Sequence, residues 1–83
     1  MKIRIEEKVF EGTPVENVTA FHDANFFHDE FPTIGDYIRY EQSLFVQLTD
    51  LPCPLPDGTD DERALALIRN LADIDAVEVL EDA

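Results

Sequence analysis

The chain has 83 residues, of which 45% are hydrophobic, and its 19 acidic and 6 basic side chains give a formal net charge of −13. This length predicts one domain, residues 1–83, and the hydrophobic fraction is too high for a disordered acidic tail. So few Lys and Arg residues argue against direct binding of nucleic acid or of an anionic membrane. The acidity fits a very soluble protein, a partner of a basic surface, or a proteome that is acidic throughout.

The chain contains no apolar run of about 18 residues, so no transmembrane helix is predicted. The start of the sequence, MKIRIEEKVF, alternates charged and apolar residues and does not have the pattern of a signal peptide. Cys53 is the only cysteine, which excludes an internal disulfide and a zinc site built on several cysteines. We therefore expect a cytoplasmic protein.

Two short strands are predicted at the start of the chain, over residues 2–6 and 8–11. Ile3 and Ile5 alternate with charged residues and are expected to face the core. In the second run, either Val9 or Phe10 is expected to face inward. The runs are so close together that a tight hairpin should connect them, although its turn lacks Asn-Gly or Asp-Gly.

Three helices are predicted over residues 14–24, 34–48 and 60–72. Each is preceded by a threonine and carries an acidic residue three positions after that threonine, a spacing typical of a capped helix start. Between the second and third helices, residues 49–58 contain a proline at every second position from Pro52 and are predicted to be a stiff loop. In the third helix, Ala64, Leu67, Ile68 and Leu71 should be buried, whereas Arg63 and Arg69 should face solvent.

The second helix has the longest helical apolar pattern, with members at Ile34, Tyr37, Ile38, Leu44, Phe45 and Leu48. Glu41 falls near the middle of this stripe, and His22 falls on the apolar side of the first helix. A carboxylate buried alone is costly, so Glu41 needs a partner, access to solvent or a proton. Three interpretations remain open: a rim position, a buried ion pair with Arg or His, and a proton-handling site.

Residues 76–81, AVEVLE, are predicted to form the last strand, with Val77 and Val79 facing inward. The predicted fold is α+β, with the order β-β-α-α-α-β and a three-stranded sheet packed on one face by helices. Lys2 and Arg4 would lie on the outer face of the first strand and Glu78 on that of the last. Because opposite charges favour neighbouring positions across a sheet, the first strand is predicted to be central.

The segment from His22 to Glu30 offers candidate ligands for a divalent metal, with His22, His28 and Asp29 as its possible donors. Two histidines six positions apart do not share a helix face, and the segment matches no metal signature, so the capping or surface interpretation is favoured. No cofactor is predicted. Nucleophile motifs and phosphate-binding glycine loops are absent from the sequence, and we therefore predict that the protein is not an enzyme.

The leading functional hypothesis is an interaction or accessory module that binds another protein. Its candidate contact residues are Phe26, Phe27 and Phe31, which would form a hydrophobic anchor among acidic residues if they are exposed. The alternative for these phenylalanines is that they belong to the core. Two other functions stay open: a nucleic-acid mimic that fills the basic cleft of another protein, and a metal-binding protein.

Overall fold

A computed structural model describes residues 1–25, 31 and 33–82 of the chain. The α+β class and the order β-β-α-α-α-β are confirmed. The strands and helices are β1 (Lys2–Ile5), β2 (Lys8–Glu11), α1 (Pro14–Asn25), α2 (Ile34–Thr49), α3 (Asp60–Asp73) and β3 (Glu78–Glu81).

The three strands form an antiparallel sheet in the order β2-β1-β3, which confirms the prediction that β1 is central. Ile3 lies between Phe10 and Val79 on the side that faces the core. On the opposite side, Arg4 lies directly across from Glu78 and forms an ion pair with it. Lys2 contacts Glu11 of β2, with 3.9 Å between Nζ and Oε2. Charge pairing across the strands therefore agrees with their order.

The last strand is shorter than predicted, because β3 begins at Glu78 and not at Ala76. The amides of Asp75 and Ala76 donate to the carbonyls of Ala72 and Leu71, so these residues end α3 and are not available for the sheet. Asp75 has a left-handed φ of 61°, which helps to reverse the chain direction. Val77 is nevertheless buried beneath the sheet, as its apolar character predicted.

Threonine caps begin all three helices. The backbone amides of Glu16, Asp36 and Glu62 donate to the hydroxyl oxygens of the threonines three positions before them. In α1 and α3 the glutamate also accepts a hydrogen bond from the threonine amide, which completes a capping box. The helix boundaries predicted from this pattern therefore lie within one residue of those observed.

The core lies between the helices and one face of the sheet, with Ile3, Ile38, Ala64, Leu67 and Ile68 almost fully buried. Two side chains differ from the prediction. Arg63, predicted to face solvent, is half-buried, and its Nε is buried without a hydrogen-bond partner among the described residues. Leu48, predicted to be buried, is 75% exposed because it lies on the last full turn of α2, where the apolar stripe extends beyond the core.

Asn17 is a fully buried polar residue of α1 that joins the helix to the sheet. Its side-chain Nδ2 donates to the Met1 carbonyl at 3.2 Å and to the Gly12 carbonyl at 3.4 Å. These two carbonyls precede β1 and follow β2, respectively. The amide therefore fixes the open end of the hairpin against α1.

None of the described helices is long and apolar enough to cross a membrane.

The β1–β2 hairpin places a non-glycine residue in a strained conformation, because Glu6 has a φ of 56°. Asparagine tolerates this left-handed region better than glutamate does. We predict that Glu6→Asn raises the free energy of unfolding by about 0.5 kcal/mol, measured by urea denaturation. Glu6→Gln removes the same charge without relieving the backbone and should have a smaller effect. Equal gains from both variants would attribute the effect to charge and contradict the prediction.

Candidate functional site

Glu41 forms a hydrogen bond with a residue of its own helix. The hydroxyl of Tyr37 donates to Glu41 Oε1 at 3.0 Å, and the two residues are four positions apart, so they share a helix face. Tyr37 is only 1% exposed, whereas Glu41 is half-buried. Among the described residues no Arg or His forms an ion pair with Glu41, so its observed partner is a phenol.

Burial shifts the pKa of both residues in this pair. It raises the pKa of Glu41 above its usual range, and the hydrogen bond from Tyr37 opposes that rise in part. Burial, together with the nearby carboxylate, also raises the pKa of Tyr37. The phenol thus stays protonated and serves as a donor, while the carboxylate is less stable in its charged form than an exposed glutamate.

His22 is buried on α1 and faces the same tyrosine. Its ring packs edge-on against Tyr37, with 4.8 Å between ring centroids, and its Nδ1 lies 3.2 Å from Asp23 Oδ1. The two polar residues singled out in the sequence, His22 and Glu41, therefore both contact Tyr37. The arrangement joins α1 to α2 through side-chain packing.

One of the three candidate phenylalanines lies within the described residues. Phe31 is half-buried and packs against His22, Tyr37 and Tyr40, with centroid separations between 5.0 and 5.6 Å. Phe31 thus belongs to the aromatic cluster around Tyr37. Phe26 and Phe27 lie outside the described residues.

The metal hypothesis has only one of its three donors within the described residues, His22, because His28 and Asp29 lie outside them. Within the described part of the chain, no group of three His, Cys, Asp or Glu side chains is close enough to hold a metal ion. Cys53 is buried, and that burial raises the pKa of its thiol. A protonated, buried thiol is a poor nucleophile and a poor metal ligand.

The end of α2 carries a surface that the sequence analysis did not predict. Three large apolar side chains are exposed there: Val46 at 43%, Leu48 at 75% and Leu51 at 49%. Pro52 and Pro54 of the following loop are exposed as well. We refer to Val46, Leu48, Leu51, Pro52 and Pro54 as the α2-end surface.

Several hydrogen bonds hold the α2-end surface in place. Gln42 Nε2 donates to the Cys53 carbonyl at 2.7 Å, and Asn70 Nδ2 donates to the Pro54 carbonyl at 3.1 Å. The helix ends at Thr49 and is capped by Asp50, whose φ is 57° and whose amide donates to the Val46 carbonyl. These contacts hold the proline-rich loop beside α2.

The sequence contained one signal for this surface. Val46 lies off the predicted stripe of α2, and Leu51 follows the helix, so neither has a place in the predicted core.

Comparison with protein-family models, with curated proteins and with solved structures found no match for this chain.

The raised pKa of Glu41 yields a test of the Tyr37–Glu41 pair. A carboxyl whose pKa is higher in the folded state destabilises the fold above that pKa, and the penalty disappears as the pH falls below the unfolded value of 4.5. We therefore predict that Glu41→Gln raises the free energy of unfolding at neutral pH by up to about 1 kcal/mol. The advantage should vanish below pH 4.5, as measured by urea denaturation across the pH range.

Glu7→Gln is the matched control, because it removes the same charge from an exposed turn that does not contact Tyr37. It reports the general benefit of lowering the net charge. A Glu41→Gln variant that is no more stable than the Glu7→Gln variant at neutral pH would contradict the prediction.

Proposed function

We propose that this protein is an interaction module that binds another protein through the α2-end surface. The observation that carries the proposal is the concentration of exposed apolar side chains between Val46 and Pro54. Single exposed hydrophobic residues are common on proteins, but Val46, Pro52 and Pro54 line one shallow groove beside α2, and a contiguous apolar patch is typical of a binding surface. The proposal moves the contact surface from Phe26, Phe27 and Phe31, the candidates of the sequence analysis, to the end of α2.

The order of the segment supports the proposal. A binding surface that is fixed before association loses less conformational entropy when the partner binds. Thr49 contributes to this order, because its hydroxyl donates to the Phe45 carbonyl at 2.7 Å and accepts from the Leu51 amide at 3.1 Å. Leu48 and Leu51 therefore lie on an ordered, capped helix end and not on a flexible tail.

The positions of the acidic residues favour an interaction module over nucleic-acid mimicry. Mimicry needs carboxylates in a continuous stripe, whereas five of those described here occupy the first turns of three different helices. Glu16 and Glu62 complete capping boxes, and Asp61 Oδ1 accepts from the Val15 amide at 3.0 Å. The pKa of Glu16 is lowered by the hydrogen bonds from Thr13. These acids have structural partners that account for their positions.

A pair of double variants tests the proposal. Because Val46 and Leu48 are exposed, Val46→Ser combined with Leu48→Ser should leave the free energy of unfolding within about 0.5 kcal/mol of the parent. The same double variant should capture at least about tenfold less of any protein that the parent chain captures from lysate of its own organism. Quantitative mass spectrometry of the captured proteins measures the difference.

Val9→Ser combined with Leu80→Ser is the matched control. Val9 is 50% exposed and Leu80 is 38% exposed, and both lie on edge strands of the sheet, outside the α2-end surface. This control should capture the same proteins as the parent chain. Equal capture by the parent and by both double variants would refute the proposed function.

A further inference from the structure

A small pocket lies between α1 and the turn end of the β1–β2 hairpin, with a volume of about 190 Å³. Its apolar floor is formed by Ile5, Phe10 and Phe21, and the rings of the two phenylalanines meet edge to face at 6.5 Å between centroids. Two exposed, charged residues, Glu6 and Lys8, line it as well. The volume equals that of about six water molecules at roughly 30 Å³ each, so the pocket has room for a small molecule and not for a peptide.

Lys8 lies on the core-facing side of the sheet, where lysine is uncommon. It is directly opposite Ile5 in the antiparallel register, as Phe10 is opposite Ile3, and residues directly opposite each other share a face. Lys8 thus lies on the same face of β2 as Phe10 and borders an apolar pocket. In the described part of the chain, neither Lys8 nor Glu6 forms an ion pair. Both charges are therefore available to a ligand.

The two charges and the apolar floor define which molecules fit. A ligand whose only charge is a carboxylate would be attracted by Lys8 but repelled by Glu6 and by the net charge of −13. A ligand whose only charge is an ammonium would be repelled by the lysine. A molecule that carries both groups complements both side chains and has no net charge. An α-amino acid with an apolar side chain has these two groups and a part that suits the floor.

We propose that this pocket binds a free α-amino acid with an apolar side chain. The ligand ammonium contacts the Glu6 carboxylate, the ligand carboxylate contacts the Lys8 ammonium, and the ligand side chain packs on Phe10 and Phe21. Glu6 has a left-handed φ of 56°, and strained residues of this kind concentrate at binding sites. The pocket is separate from the α2-end surface, so the inference does not rest on the proposed function.

An inward-pointing lysine also has a purely structural use, because it keeps an edge strand from pairing with another chain. Lys8 lies on β2, which is an edge strand of the sheet. That role predicts self-association when the lysine is removed and predicts no binding of an amino acid. The two roles are therefore distinguishable by experiment.

Phenylalanine and three analogues test the proposal. Phenylpropionate lacks the ammonium, phenethylamine lacks the carboxylate, and glycine lacks the apolar side chain. Each compound is titrated into the isotope-labelled full chain, and amide chemical shifts report both the affinity and the position of binding. The titration extends to about 20 mM, well above the Kd of about 1 mM expected for a ligand of this size.

Phenylalanine should shift the amides of residues 5–10 and of Phe21, and the three analogues should bind at least about tenfold more weakly. Lys8→Gln and Glu6→Gln should each weaken phenylalanine binding about tenfold. The first variant makes the net charge more negative and the second makes it less negative, so a loss in both cannot come from net charge. Lys2→Gln is the matched control on the outer face of β1 and should leave binding unchanged.

No shift at residues 5–10 at the highest concentration, or shifts spread evenly over the chain, would overturn the inference. Equal binding of phenylpropionate or phenethylamine would show that one of the two charges has no role, and equal binding of glycine would show the same for the floor; each result would overturn it. If Lys8→Gln self-associates in sedimentation experiments and the parent chain does not bind phenylalanine, Lys8 only protects the edge strand.

Discussion

Tyr37 is the residue on which the arrangement of the first two helices depends. Its ring contacts His22 of α1 at 4.8 Å and Phe31 at 5.2 Å between centroids, and its hydroxyl donates to Glu41. A buried tyrosine needs a partner for its hydroxyl, and Glu41 supplies one from the next turn of the same helix. The aromatic cluster can therefore close over α2 without leaving the phenol or the carboxylate unpaired.

The two ends of α2 differ in burial. Tyr37, Ile38 and Phe45 are buried and belong to the core, whereas Val46 and Leu48 on the last turns are exposed. Truncation of a buried residue in the first part would create a cavity, but truncation at the end of the helix would remove little buried area. The stability of the domain and the proposed binding of a partner thus depend on different residues of one helix, which allows each to be altered separately.

Local patterns in the sequence predicted most of the fold. Three features were predictable because each depends on residues that are close along the chain or directly across a strand. They are the threonine caps, the alternation in β1, and the opposite charges of Arg4 and Glu78. Leu48 was predicted wrongly because periodicity identifies a helix face but not where the covering elements end. The partner of Glu41 was not predicted, because the ion-pair interpretation pointed to Arg or His, although Tyr37 precedes Glu41 by one helical turn.

The central claim is that the end of α2 contacts another protein. Site-specific photo-crosslinking in the organism that makes this protein tests the claim most directly, with the crosslinking residue placed at Gln47 and, in a separate strain, at Lys8. Both positions are exposed, but only Gln47 lies beside the exposed apolar groove. We expect a discrete protein adduct from position 47 and none from position 8. Adducts from position 8 alone, or the same adducts from both positions, would contradict the account.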